Sequence, residues 1–271
     1  MKQKIFLIAG SFDLPLMVLN KVKHDYDVFV FDFSNRKTEF DVQNYFELSF
    51  KNSVLPFKQL KKERPQYIVM AGAVKFTGIK DILLSFVLHP IWFLRILFKV
   101  NNLKIKGDDG YLNVLEGLIE NEFGTKFLSP HDLNSEIILF NDINPEKAKK
   151  YHTDIQLGTQ FINAISAFDM GQSVVVQEGR VIAAEAQEGT SEMILRCEKI
   201  LLNSGKAVLI KKTKINQNLT FDMPTIGIET VKNTHTLGFA GIAIEKNKTI
   251  VLNQEKIIKF LKDKEFFIVS I

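Results

Sequence analysis

Two uninterrupted apolar runs, each closed by a glycine, do most to limit the fold. Ile5, Phe6, Leu7, Ile8 and Ala9 run into Gly10, and Tyr67, Ile68, Val69, Met70 and Ala71 run into Gly72. A strand that is apolar at every position is buried on both faces, as in a parallel sheet covered by helices. Residues 14–22 have helical spacing, and residues 27–32, with Val28, Phe29, Val30 and Phe31, read as a second buried strand. Strand, glycine turn, helix and strand is the order of a doubly wound sheet. The first turn holds only part of a nucleotide fingerprint. Ser11 and Phe12 follow Gly10, without the second and third glycines that let backbone approach a pyrophosphate. The expectation is a Rossmann-like scaffold that binds no dinucleotide.

At 271 residues the chain exceeds what one core usually serves, so two domains are expected. Residues 141–151 are polar, with Pro145, Lys147, Lys149 and Lys150, and read as a linker. The division is then a Rossmann-like N-terminal domain over 1–140 and a distinct mixed α/β C-terminal domain over 141–271. Helices are expected over 111–122 and 155–168. Residues 173–176 and 181–184, joined through Gly179 and Arg180, form a hairpin by spacing. Further strands are expected at 207–210, 241–244, 249–252 and 266–269.

Composition removes several classes of function. A formal charge of +4 gives no case for nucleic-acid binding, and 46% hydrophobic with 24% charged residues is ordinary for a soluble globular protein. The single cysteine, Cys197, permits no intrachain disulfide and fits a reducing cytoplasm. The apolar start is too short for a signal peptide and lacks a small-residue cleavage site. Residues 81–100 are the least polar stretch, but His89 and Pro90 interrupt it and Arg95 follows. A spanning helix needs about 20 unbroken apolar residues, so no transmembrane segment is expected. Two readings of the stretch stand. One is a pair of helices packed in a core or against the second domain. The other is an interfacial surface, with Trp92, Phe93 and Phe98 among acyl chains and Arg95, Lys99 and Lys104 near anionic headgroups.

Four clusters place acids or lysines beside glycines and turns. They are Gly107-Asp108-Asp109 at a helix start, Asp169-Met170-Gly171-Gln172 before a strand, Glu185-Ala186-Gln187-Glu188-Gly189-Thr190 after the hairpin, and Lys211-Lys212-Thr213-Lys214 leading through Gln217 and Asn218 to Asp222. Asp108 and Asp109 can equally serve as a helix cap and dipole partner. Taken together the set offers carboxylates for a hard cation and lysines for phosphate oxygens. Metal-ligand histidine or cysteine spacing, a P-loop and a G-x-S-x-G elbow are all missing from the sequence.

The same clusters, in this order, resemble the LpxI-type UDP-2,3-diacylglucosamine pyrophosphatases of lipid A synthesis. The resemblance runs from Gly10 with Leu14-Pro15, through Lys106-Gly107-Asp108-Asp109 and Asp169-Met170-Gly171-Gln172, to Phe221-Asp222-Met223-Pro224 and Leu237-Gly238-Phe239-Ala240-Gly241. It implies a Rossmann-like N-terminal domain, a distinct α/β C-terminal domain and a site between them. It also implies Mg²⁺-dependent water attack on the pyrophosphate of UDP-2,3-diacylglucosamine, giving 2,3-diacylglucosamine 1-phosphate and UMP. Carried onto this chain, Asp222, Glu188 and Gln217 are the candidate catalytic residues, and Asp222, Glu188 and Glu185 the candidate metal ligands. Gly10, Asp108, Asp109, Asp169, Gln172, Gly189, Thr190, Lys211, Lys214 and Asn218 are candidate substrate contacts, with Lys211 and Lys214 as phosphate clamps. The implied partner is a lipid-linked UDP-sugar. A cytoplasmic protein touching the inner face of the inner membrane follows, with no nucleic acid and with a homodimer left open.

The chain departs from the family pattern at defined positions. Ser191 stands where E-G-T-D has its acid, and Asn218 and Thr220 stand where K-P-x-Q-D-x-R has an acid and an arginine. The alternative reading is therefore a homologue that binds the UDP-sugar or lipid product without turnover.

Overall fold

The structure, a computed structural model, describes residues 2–48, 55–72, 108–168, 170–202, 206–215 and 217–271. Asp169 and the stretch 81–100 lie outside these residues, as do the side chains of Asp108 and Asp109. The chain divides into two compact units, Met1–Asn134 and Ser135–Ile271.

The first unit carries β1 (Gln3–Ala9), α1 (Leu14–Val22), β2 (Tyr26–Asp32), β3 (Asn44–Glu47), α2 (Leu55–Glu63), β4 (Tyr67–Ala71), α3 (Asp108–Phe123) and β5 (Lys126–Leu128). Its five strands are all parallel in the order β3-β2-β1-β4-β5, the Rossmann-type arrangement. The apolar runs read from the sequence are its central strands: Ile5, Phe6, Leu7 and Ala9 of β1 and Val30 and Phe31 of β2 are buried. Phenylalanines fill one side. The Phe6 ring lies 4.9 Å from that of Phe31, which stacks on Phe46 at 5.1 Å. Each such side chain contributes about 1.5–3 kcal/mol on burial, so this cluster supplies much of the unit's cohesion.

Order reverses at β1, whose neighbours are β2 and β4, and the chain there is tied by backbone. Gly10 donates its N–H to Ala71 O at 2.8 Å and its carbonyl accepts from Arg36 Nη2 at 3.0 Å. At the end of β2, Asp32 occupies the place where dinucleotide-binding sheets keep an acid for ribose. Here it is fully buried and committed: it accepts from Ser34 N (2.8 Å), Ser34 Oγ (2.5 Å), Arg36 N (2.8 Å) and Tyr45 Oη (2.8 Å). Burial alone would push this carboxyl up, but the hydrogen bonds outweigh it and hold Asp32 below its ordinary value.

The second unit carries α4 (His152–Ile165), β6 (Ser173–Gln177), β7 (Arg180–Ala184), α5 (Thr190–Arg196), β8 (Val208–Lys211), β9 (Thr225–Ile226), α6 (Ile228–Thr236), β10 (Gly241–Ile244), β11 (Ile250–Val251), α7 (Gln254–Leu261) and β12 (Phe267–Ser270). Its main sheet runs β12-β10-β8-β6-β7. β8, β10 and β12 are parallel, while β6 opposes both β8 and β7, so the sheet is mixed. Strand alternation splits the core in two. Val174, Val176, Val208 and Ile210 pack with Ile155 and Ile162 of α4, whereas Val175, Leu209 and Ile242 pack with α5, α6 and α7.

Residues 141–151, expected as a linker, are instead folded onto this unit. Ile143 exchanges both backbone hydrogen bonds with Ile268 of β12, at 2.8 and 3.1 Å, and Asp142 Oδ1 accepts from Ser270 N at 2.8 Å. Asn144, in the left-handed region at φ 50°, donates Nδ2 to Phe266 O at 2.7 Å and leads into a helical turn at Pro145–Ala148. The polarity of Asp142 and Asn144 is spent on backbone partners more than 120 residues away, which no local pattern displays. Among the described residues no helix is long and apolar enough to cross a membrane.

Candidate active site

Strand direction gathers the candidates of the second unit. Because β6 opposes its neighbours, its first residue, Ser173, pairs with the last residue of β8, Lys211, and lies beside the end of β7. Glu185, one residue past β7, extends the ladder by donating its N–H to Ser173 O at 2.9 Å. Val175, Ala183 and Leu209 face the core beneath α5, so Ser173, Glu185 and Lys211, each two residues away, face the same side. Gly189, at φ +82°, turns the chain into α5, whose first residue is Thr190. The site therefore forms where β7 and β8 end, the edge at which parallel strands present ligand sites.

The side chains link into one network. Lys211, only 6% exposed, donates Nζ to Thr190 Oγ1 at 2.6 Å and to Ser173 Oγ at 3.1 Å. Thr190 Oγ1 donates to Glu185 Oε1 at 2.9 Å, and Glu185 Oε2 accepts the Gln172 N–H at 3.2 Å. The Gln172 side-chain amide in turn donates to Asp222 Oδ2. Gln217 Nε2 reaches the same oxygen at 2.6 Å and Asp222 O at 2.9 Å, while Gln217 Oε1 accepts the Lys214 N–H at 2.8 Å. Gly171 sits hard against this assembly: a Cβ there would lie 2.5 Å from Glu185 Cβ and 2.7 Å from Glu185 O. The glycine of Asp169-Met170-Gly171-Gln172 is thus fixed by the close approach of Glu185.

Asp222 is carried by the loop that follows β8. Thr213 anchors its start, donating N–H (2.8 Å) and Oγ1 (2.5 Å) to Glu245 Oε2, and Lys248 pairs with the other Glu245 oxygen at 3.0 Å. Burial pushes the Glu245 carboxyl up, but the Thr213 and Lys248 contacts leave it below its ordinary value. Asn218 shapes the loop's far part. Its Oδ1 accepts from Thr220 N at 2.9 Å and its backbone oxygen accepts from Phe221 N and Asp222 N, both at 3.3 Å. An asparagine oxygen makes this turn as well as a carboxylate would, so Asn218 serves the loop's shape without carrying a charge.

Glu188 does not join the network. It is exposed, and its Oε1 lies 3.1 Å from Arg196 Nη2, which also bonds Ala184 O at 2.6 Å. Its own backbone N–H, with Arg196 adding, holds its carboxyl below the usual range. Of the sequence candidates, Gln172, Glu185, Thr190, Lys211, Gln217 and Asp222 are brought together. Lys214 enters through its backbone and Asn218 through its turn. Ser173 and Glu245 were not among the candidates; the signal for each was its place at a strand end.

Among the described residues no three histidine, cysteine, aspartate or glutamate side chains gather as a metal-ligand set. Mg²⁺ asks for less, one or two carboxylates with water and phosphate oxygens. Asp222 and Glu185 both hold Gln172, and Gln172 Oε1 is buried with no hydrogen-bond partner among the described residues. A carboxylate beside an unspent amide oxygen fits a hard cation.

Fold and site define a two-unit α/β protein in which a Rossmann-like parallel sheet precedes a mixed sheet bearing an acid, amide, hydroxyl and lysine network. Residues 4–137 match the LpxI N-terminal domain and residues 142–269 the LpxI C-terminal domain. The chain belongs to the LpxI family. It is 29% identical over 225 residues to the UDP-2,3-diacylglucosamine pyrophosphatase LpxI of Caulobacter vibrioides, covering 79% of this chain and 78% of that protein.

Proposed function

We propose that this protein hydrolyses the pyrophosphate bond of UDP-2,3-diacylglucosamine in lipid A synthesis, releasing UMP and 2,3-diacylglucosamine 1-phosphate. Family membership and the named relative support the reaction class. The observation that carries the reading to residues is Asp222, whose carboxylate two amides fix in place. Water attack on phosphorus needs an oriented water and neutralised charge more than it needs covalent chemistry. Asp222 orients the water. The water oxygen bonds to one phosphorus and gives up a proton to solvent as the bridging P–O bond breaks, and the departing phosphate keeps the electron pair. Mg²⁺, held by Asp222 and Gln172 Oε1, would supply charge neutralisation on the pyrophosphate oxygens. A diacylated substrate places the work at a lipid surface, the cytoplasmic face of the inner membrane.

Purified protein with Mg²⁺ should release UMP from the authentic substrate, followed by chromatography, and Asp222→Ala should abolish release. No turnover above background rejects the reading. Glu188, drawn to Arg196, and the residues at Ser191, Asn218 and Thr220 favour one competing reading, a binder without turnover. A wild-type protein that is silent but gains activity as Ser191→Asp, Asn218→Asp, Thr220→Arg would establish it.

A further inference from the structure

Lys211 has an environment that a phosphate clamp does not need. It lies almost wholly inside, at the last position of β8, and its ammonium sits between two hydroxyls with no carboxylate at ion-pair distance among the described residues. Burying an ammonium without a direct counter-ion is costly, so a buried lysine calls for a role that only the buried position serves.

Hydrogen-bond direction shows what the position does. A lysine ammonium only donates, so Thr190 Oγ1 accepts from Lys211. Its own proton then goes to Glu185 Oε1. Both Glu185 oxygens are engaged inside the network, Oε1 by Thr190 and Oε2 by the Gln172 backbone. The Gln172 carbonyl is held from the other side by Lys212 N at 3.0 Å. With its backbone gripped at both ends, Gln172 has its side chain set on Asp222 Oδ2. Cation, hydroxyl, carboxylate and amide thus alternate from Lys211 to Asp222.

We infer that Lys211 and Thr190 are positioning residues for Asp222, acting through Glu185 and Gln172, and that Lys211 does not bind the substrate's phosphates. The inference rests on the proposed role of Asp222 and names how that residue is held.

The test uses the full-length protein with Mg²⁺ and three variants, Thr190→Val, Thr190→Ser and Lys211→Met. Valine keeps the volume of threonine and removes the proton given to Glu185; serine keeps it. Residues that orient a site from behind typically affect activity by about 10–100-fold. Thr190→Val and Lys211→Met should lower kcat by about that factor with KM within about twofold, and Thr190→Ser should restore most of kcat. A raised KM with kcat preserved in Lys211→Met makes it a phosphate contact and overturns the inference, as do unchanged kinetics in Thr190→Val. A second measurement needs no turnover. In ¹⁵N-labelled protein, the side-chain NH₂ signal of Gln172, identified by its loss in Gln172→Glu, should shift in Thr190→Val and return in Thr190→Ser. If that signal does not move, the chain of contacts carries nothing. If it moves while wild-type protein hydrolyses no substrate, the positioning holds and the proposed reaction fails.

Discussion

Gln217 holds Asp222 twice, with one amide nitrogen bonded to both the backbone oxygen (2.9 Å) and the carboxylate Oδ2 (2.6 Å) of the aspartate. The backbone and side chain of Asp222 are thereby fixed by a single group, itself oriented by the Lys214 N–H. Pre-set geometry of this kind is where catalysis gains most from small contacts. Gln217→Ala should lower kcat by about 10–100-fold with little change in KM. Gln217→Glu should do more harm, because it sets a second carboxylate against Asp222. Steady-state kinetics of both variants distinguish these outcomes.

Gly171→Ala should damage the site without removing a polar group. The new methyl would overlap Glu185, so the end of β7 must shift. Overpacking of this sort costs about 1–3 kcal/mol. A denaturant titration should show that loss, and kcat should fall with it. Equal stability of mutant and wild type would contradict the close approach.

The expected strands at residues 5–9, 67–71 and 241–244 match β1, β4 and β10 closely, because a strand buried on both faces writes an unbroken apolar run. The expected strands at 207–210 and 266–269 fall one residue short of the ends of β8 and β12, which are set by ladder partners. That residue matters at β8: it is Lys211. Read as one of a basic series with Lys212 and Lys214, it looks like a phosphate contact; strand alternation turns it inward. Helix α7 was not expected, although Ile257, Phe260 and Leu261 recur at helical spacing on its core side; Ile258, exposed beside them, blurs the stripe. The identities of Gln172, Glu185, Gln217 and Asp222 were legible as motifs. Their order of contact was not, since it depends on β6 running against β8.

Asp32 and Glu245 should make stability depend on acid. Each has a folded-state value depressed below its unfolded one of about 4. Their contribution is therefore complete above that unfolded value and is lost as pH falls through the folded value. Thermal unfolding between pH 7 and pH 3 should show a falling Tm. Asp32→Asn should cost about 2 kcal/mol near neutrality and flatten the acid dependence. An unaltered slope in that variant would remove Asp32 from the account.

Cys197 should be unreactive in the folded protein. It is buried, it donates Sγ–H to Met193 O at 3.2 Å, and burial pushes its thiol up to about 11 despite the nearby Arg196. The thiolate is the reactive form. A thiol reagent at pH 8 should label the protein only after denaturant is added; rapid labelling under native conditions would contradict this.

The β6–β7 hairpin changes register between Val175 and Val176: Val175 pairs with Ala183, but Val176 pairs with Val181. The extra residue separates the two ends of the hairpin into independent halves. Insertions or deletions around Glu178 and Gly179, where Asp154 caps the turn, can be absorbed before they reach the bulge. A residue lost between Gln172 and Val175, or between Ala183 and Glu185, has no such buffer and would turn Ser173 or Glu185 toward α4. Relatives that keep this chemistry can therefore vary in hairpin length at the turn, while those two short intervals stay constant.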